Sequence, residues 1–280
     1  RPRRDSRRHD RSDRGNHCLM SDFLTIQGRV HHFDLRPGTA RVPIVFVNSL
    51  GTDLRIWDRV IAALPAEWIV LTYDKSGHGL SQGGARTMED FASDLAALMD
   101  ANSLEGALIC GVSVGGMIAQ ALAASRSDLV AGLVLCNTAH RIGTPESWEE
   151  RIAALDTTGL EAMADGIIER WFSPTFRRAH PQETAGYRMM LARTPLADYR
   201  AVCAAIRDAD LTEATQRLTC PTLCVAGTDD QATPPDLVQA LSRLIPTAGF
   251  TCYDNVGHLP CIEAPDRLAR DIQTHMAALP

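Results

Sequence analysis

One pentapeptide constrains this chain more than any other feature of its 280 residues. Gly111-Val112-Ser113-Val114-Gly115 is a GxSxG set between the apolar run 107–110 and the small-residue helical stretch 115–124. A serine between a buried strand and a helix must sit on a tight, strained turn. Only small residues two places before and two places after it let the backbones pass closely. Such a turn exposes the hydroxyl, and the helix N-terminus favours an oxyanion forming beside it. The pattern predicts Ser113 as a nucleophile on a strand–turn–helix unit. The plainer alternative is a glycine-rich turn that merely packs.

The rest of the chain supplies the sheet such a unit needs. Residues 23–27 and 30–35 read as an opening hairpin about Gly28. Residues 44–47, 68–73, 107–110 and 130–136 are short apolar runs, as expected of strands buried on both faces. They alternate with helical patterns over 56–64, 88–99 and 115–124. This is the signature of an α/β fold with a mostly parallel central sheet flanked by helices. The rhythm breaks after Asn137. Residues 147–155, 160–171, 182–193 and 195–209 have helical patterns and no strand lies among them, which predicts an inserted helical cap. Alternation resumes with strand 221–226, helix 236–244, strand 249–253 and helix 265–277. The expected organisation is a tail over 1–19, core over 20–139, cap over 140–213 and core over 214–280.

Charge narrows the partners. The net charge is −6, yet residues 1–19 carry seven Arg against three Asp, so the remainder carries −10. An acidic body argues against a nucleic-acid partner, because phosphate binding needs a basic face. The paired arginines near the start could open an export signal, but no apolar stretch of about 7–15 residues follows. That tail is polar and has no surface to bury, so it is expected outside the fold, with Met20 reading like a natural start. No apolar run approaches the roughly 20 residues that span a membrane, and the chain reads as soluble and cytoplasmic. Eight cysteines stand at 18, 110, 136, 203, 220, 224, 252 and 261. Several lie inside apolar runs, where thiols behave as small hydrophobes, and nothing resembles a disulfide framework or a zinc pair.

A serine hydroxyl is a weak nucleophile without a base. Of nine histidines, His258 in Asn255-Val-Gly-His258 is the one that comes late and in a loop just past the last strand. That is where the base falls when the chain order is serine, acid, histidine. The acid should follow strand 221–226, where Asp229 and Asp230 compete and local chemistry does not choose. The oxyanion needs two backbone N–H groups: one from Val114, after the serine, and one from the loop after strand 44–47, where Leu50 is the candidate.

From Met20 onward the sequence resembles the 3-oxoadipate enol-lactonases of the α/β-hydrolase superfamily. The resemblance rests on Asn48-Ser-Leu-Gly-Thr-Asp-Leu-Arg-Ile-Trp57, Tyr73-Asp-Lys-Ser-Gly-His-Gly-Leu-Ser81, Gly111-Val-Ser-Val-Gly-Gly116, Cys136-Asn-Thr-Ala139 and Ala226-Gly-Thr-Asp-Asp-Gln-Ala-Thr-Pro234. The narrower matches are in the cap, Arg170-Trp-Phe-Ser-Pro174 and Ala205-Ile-Arg-Asp-Ala-Asp-Leu211. It implies an α/β-hydrolase fold with an inserted helical cap. It also implies a triad of Ser113, Asp230 and His258, since the family's Gly-x-x-Asp places the acid at Asp230. Two positions depart from the usual pattern: Asn48 stands where many such hydrolases carry His, and Ser76 where Arg is usual. The implied reaction opens 3-oxoadipate enol-lactone to 3-oxoadipate, a step in aromatic-compound breakdown, through an acyl-enzyme on Ser113, with no metal or cofactor. The substrate's free carboxylate needs a cationic partner. Arg141 is the first candidate, with Trp148 as a wall of the site. The rivals are another α/β hydrolase, such as a carboxylesterase or carbon–carbon bond hydrolase, and a non-catalytic hydrolase-like binding protein. A haloalkane dehalogenase is disfavoured because that chemistry needs Asp at position 113.

Overall fold

The computed structural model describes residues 20–280, so the arginine-rich tail lies outside the described residues. Strands β1 (Met20–Ile26) and β2 (Arg29–Arg36) form the opening hairpin. Its turn residues, Gln27 and Gly28, both have positive φ, the backbone twist that suits a two-residue hairpin. Then come β3 (Ile44–Val47), a 3-10 turn at Leu54–Trp57 and α1 (Asp58–Ala62). They are followed by β4 (Val70–Tyr73), α2 (Met88–Ala101), β5 (Ala107–Val112), α3 (Val114–Ser125) and β6 (Val130–Cys136).

Between β6 and the next strand every regular element is a helix: α4 (Pro145–Trp171), α5 (Pro174–Ala179), α6 (Pro181–Ala192), α7 (Leu196–Asp208) and α8 (Thr212–Gln216). It ends with β7 (Thr222–Gly227), α9 (Pro235–Leu244), β8 (Ala248–Tyr253), α10 (Pro260–Glu263) and α11 (Pro265–Ala277). The eight strands make one sheet in the order β1-β2-β4-β3-β5-β6-β7-β8. Strand β2 is antiparallel to both neighbours and every later pairing is parallel. This is the α/β-hydrolase architecture.

The apolar runs became strands for the expected reason. Every residue of β3, β4 and β5 is buried, as a sheet covered on both faces requires. Helix α2 starts at a capping box, with Thr87 and Asp90 each satisfying the other's backbone N–H, which removes two unpaired donors at the helix start. Thr144 and Ser147 do the same for α4. The two helices expected over 147–155 and 160–171 run as one element, α4, but Gly159 breaks it at φ 76°, ψ 163°. The short helices α5, α8 and α10 have four to six residues, too few for a periodicity to be read. Cysteines 110, 136, 203, 224 and 261 are buried and free, and burial pushes the Cys224 thiol up to about 12, so it packs as a protonated hydrophobe. No helix among the described residues is long and apolar enough to cross a membrane.

Register sets the position of the site. Val47 pairs with Gly111, Cys136 with both Val112 and Val225, and Gly227 with Tyr253. The C-terminal ends of β3, β5, β6, β7 and β8 are therefore level. Every loop that leaves them opens onto one rim, where open parallel sheets bind ligands.

Candidate active site

Ser113 is the single residue between β5 and α3, with φ 59° and ψ −125°. A non-glycine residue held there is strained by about 1–3 kcal/mol and persists only where its surroundings enforce it. They do so here. Ser113 N donates to Cys136 O at 3.0 Å, and Thr138 Oγ1 donates to Ser113 O at 2.6 Å. The flanking glycines are obligatory. A Cβ on Gly111 would lie 2.4 Å from Gly115 O, and one on Gly115 would lie 2.2 Å from Val47 O. Both obstacles are backbone and cannot swing aside.

His258 follows β8 on a turn with Asn255 at φ 58°. It is buried, and its own N–H donates to Trp171 O at the end of α4 at 2.7 Å. Its Nδ1 meets Asp230 Oδ2 at 2.9 Å. Of the two acids the sequence offered, Asp230 is the one at the imidazole. Its Oδ1 accepts from Ala232 N at 2.7 Å and Thr233 N at 3.0 Å, and its Oδ2 also accepts from Thr233 Oγ1 at 2.6 Å. Asp229 is half-buried, its backbone tied to Val256 O. Asp230 is thus fully coordinated as an acceptor before it reaches the histidine. That fixes His258 with its proton on Nδ1 and leaves Nε2 free to act as a base.

The loop after β3 supplies backbone donors. Leu50 is buried, and among the described residues nothing accepts from its N–H. Val114 opens α3, where its N–H has no partner within its own helix. The loop is held from below. Asn48 Nδ2 donates to Thr52 O, Gly51 N donates to His78 Nε2 at 3.0 Å, and Lys75 Nζ donates to Ser49 O.

Leu50, Ser113, His258, Thr233 and Trp148 share the wall of a cavity of about 570 Å³ between the strand rim and the helices α4 and α7. That size suits a small ligand. Trp148 is where the sequence placed it, with Nε1 donating to Ile142 O at 2.6 Å. Arg141 is not. It is 46% exposed, lies outside the cavity lining, and is drawn to Asp210 on the surface at 3.5 Å. The cations on the cavity are Arg151 and Arg170, with Glu150 the one carboxylate of the lining that belongs to the helices. Arg151 lies between the rings of Trp148 and Tyr199, 5.4 and 5.7 Å from their centroids. One Nη donates to the Tyr199 hydroxyl, Nε is buried without a partner, and no carboxylate of the described residues is within ion-pair distance. Arg151 stands three residues after Trp148 on α4, so both occupy one helix face. That spacing was the signal available in the sequence.

Three further residues hold the site together. Asn137, at φ 44°, accepts from Gly227 N at 2.9 Å and donates to Gly257 O at 2.8 Å, so it ties the acid loop to the histidine loop. Glu263 accepts from Ser173 N and Oγ and from Gly257 N, joining the end of α4 to the histidine loop. Burial pushes its carboxyl above the ordinary value. Thr233 bridges Asp230 and His258.

A larger hollow of about 680 Å³ lies elsewhere, lined by His32 and Asp74. Ser21 Oγ, His32 and Asp74 are bonded in series there at 2.7 Å each. Asp74 also accepts from Leu54 N and Leu80 N, and Ser21 lies in the regular edge strand β1 rather than on a strained turn. That trio fastens β1, β2 and two loops together. Among the described residues no group of three or more His, Cys, Asp or Glu side chains comes together as a metal site.

Residues 44–271 match the Alpha/beta hydrolase family. The chain is 32% identical over 225 residues to 3-oxoadipate enol-lactonase 1 of Acinetobacter baylyi, covering 80% of this chain and 84% of that protein. It is 31% identical to 3-oxoadipate enol-lactonase 2 of the same organism, covering 92% and 97%. Among solved structures, the enol-lactonase from Burkholderia xenovorans superposes with a TM-score of 0.87 at 33% identity, covering 91% of this chain and all of that one. With the elbow, the sheet order and these relatives together, the chain belongs to the alpha/beta hydrolase family and, within it, to the 3-oxoadipate enol-lactonase group.

Proposed function

We propose that this protein is a serine hydrolase that opens 3-oxoadipate enol-lactone to 3-oxoadipate, with Ser113, His258 and Asp230 as its triad. Ser113 attacks the lactone carbonyl while His258 Nε2 takes its proton, and Asp230 holds the imidazole and stabilises its charged form. The Leu50 and Val114 N–H groups receive the oxyanion. When the tetrahedral intermediate collapses, the ring C–O bond breaks and His258 returns the proton to the leaving oxygen. That oxygen is an enol still tethered to the acyl group, and it can tautomerise to the ketone. Water, deprotonated by His258, then attacks the acyl carbonyl; the bond to Ser113 Oγ breaks, His258 returns the proton to that oxygen, and the diacid leaves.

The acidic lactone is favoured by one observation above the others. The cavity that Ser113 and His258 share also holds Arg151, half-buried, with its Nε enclosed without a partner and no anionic partner for its guanidinium among the described residues. A buried cation left unpaired is costly, and a carboxylate received there would relieve that cost through a charge-assisted hydrogen bond. Arg151 therefore takes the part that the sequence gave to Arg141.

The test is the ratio of kcat/KM for the acidic lactone to that for the neutral methyl ester of the same lactone. A strong preference for the acid supports the reading. Equal rates on both, with p-nitrophenyl acetate cleaved as fast, would leave an esterase and remove the lactonase assignment.

A further inference from the structure

Lys75 follows β4 and is completely buried, at 0% exposure. A lysine in such a place needs an explanation, because burial penalises its charge. Its Nζ forms no ion pair among the described residues. It donates instead to two backbone carbonyls, Ser49 O and, at 3.3 Å, Thr52 O. Thr52 O already has a neutral donor in Asn48 Nδ2, so holding the loop does not by itself call for an ammonium.

The Ser49 carbonyl is the other half of the peptide group that carries the Leu50 N–H. In a trans peptide the C=O and N–H point in opposite directions. Ser49 O accepts Lys75 Nζ together with Thr52 Oγ1 at 2.9 Å and Thr52 N at 3.3 Å, so the Leu50 N–H faces away from these donors, on the side where Leu50 and Ser113 line the cavity, and Lys75 is the one charged group among them. We infer that Lys75 is a positioning residue for the oxyanion site, fixing and polarising the Ser49–Leu50 peptide so that its N–H meets the developing charge as a stronger donor. Hydrogen bonds in series polarise one another, most strongly in a low-dielectric interior. The series here runs from the ammonium through one peptide to the oxyanion. This rests on the reading of Ser113 as nucleophile and Leu50 as donor.

The surroundings make the effect depend on pH. Burial, opposed by the attraction of Asp74 and Asp53, brings the Lys75 ammonium down to about 7. Asp53 is itself shared with Arg55. His78, also under the loop, is held well below its usual range by burial and then by Lys75, so it stays neutral. The polarising charge is present at low pH and is lost as pH rises through the Lys75 value. The neutral amine still donates but carries no charge.

Labelling of Ser113 by an alkyl fluorophosphonate reads this directly, because the phosphoryl oxygen occupies the oxyanion site whatever the natural substrate is. The second-order labelling rate is measured from about pH 6 to about pH 9 for wild type and Lys75→Met, with Ser113→Ala as control and thermal melting as the check of folding. Loss of one oxyanion donor costs about 10²–10³-fold, so loosening one should slow labelling by about 10- to 100-fold. Wild type should show a descending alkaline limb, and Lys75→Met should lack it. A folded Lys75→Met that labels within about threefold of wild type, or that keeps the descending limb, overturns the inference. If Lys75→Met does not fold, the wild-type profile decides: an alkaline plateau without descent overturns it, and a descent supports it. Labelling that persists in Ser113→Ala would instead refute Ser113 as the nucleophile.

Discussion

Asp230→Asn is the substitution whose consequence the geometry specifies most fully. Oδ1 accepts two backbone N–H groups, from Ala232 and Thr233, while Oδ2 accepts from Thr233 Oγ1 and faces His258 Nδ1. An asparagine has one oxygen, and only that oxygen can accept the two backbone donors. Its amide nitrogen must therefore take the Oδ2 position. From there it donates to the Thr233 hydroxyl, which can rotate to accept, and to His258 Nδ1. The imidazole is then locked with its proton on Nε2, facing Ser113, and cannot act as a base. Shape and burial barely change, so the fold should survive. An Asp→Asn change at a triad acid that leaves geometry intact but imposes the wrong tautomer costs about 10⁴-fold, or about 5.4 kcal/mol of transition-state stabilisation. Steady-state kcat/KM on the lactone, beside circular dichroism, measures it. Asp229→Asn, with its side chain turned from the imidazole, should stay within about threefold of wild type. Retention of more than about a tenth of wild-type activity in a folded Asp230→Asn, or an equal loss in Asp229→Asn, would refute the tautomer argument.

Two other substitutions follow from the same geometry. Arg151→Met should lower kcat/KM for the acidic lactone by about 10- to 100-fold, the worth of a charge-assisted hydrogen bond of about 1.5–3 kcal/mol, while leaving its neutral methyl ester within about twofold; equal loss on both substrates in steady-state assays would count against the anchor. Gly115→Ala pushes a Cβ to within 2.2 Å of Val47 O and 3.0 Å of Asn48 O, an overpacking of about 1–3 kcal/mol, so thermal melting should fall by roughly 2–4 °C for each kcal/mol, and an unchanged midpoint would mean that the elbow is looser than described.

Much of the fold could be read from the chain because burial on both faces leaves a plain mark. Ile44–Val47 and Val130–Cys136 are uninterrupted apolar runs and became strands with those same bounds. The elbow was legible because two backbones crossing near Gly111 and Gly115 leave no room for a side chain. Local chemistry alone left Asp229 and Asp230 open, because adjacent residues differ only in where the loop turns them. The resemblance implied Asp230, and it is the Asp230 carboxylate that lies 2.9 Å from His258 Nδ1, a proximity no pattern displays. Arg141 looked well placed because it follows a strand end closely. Which cation reaches the cavity depends instead on how α4 lies over the rim, and that direction is tertiary. Lys75 was invisible for a related reason. A charged residue just after a strand reads as solvated, and its burial comes from residues 48–53, which the sequence separates from it by more than twenty positions.

The most direct test of the central claim is the ultraviolet loss of freshly generated 3-oxoadipate enol-lactone, with wild type beside Ser113→Ala. Rapid decay with wild type and none above background with Ser113→Ala is the predicted result. No decay with wild type while a simple ester is still cleaved, or equal decay with both proteins, would contradict it.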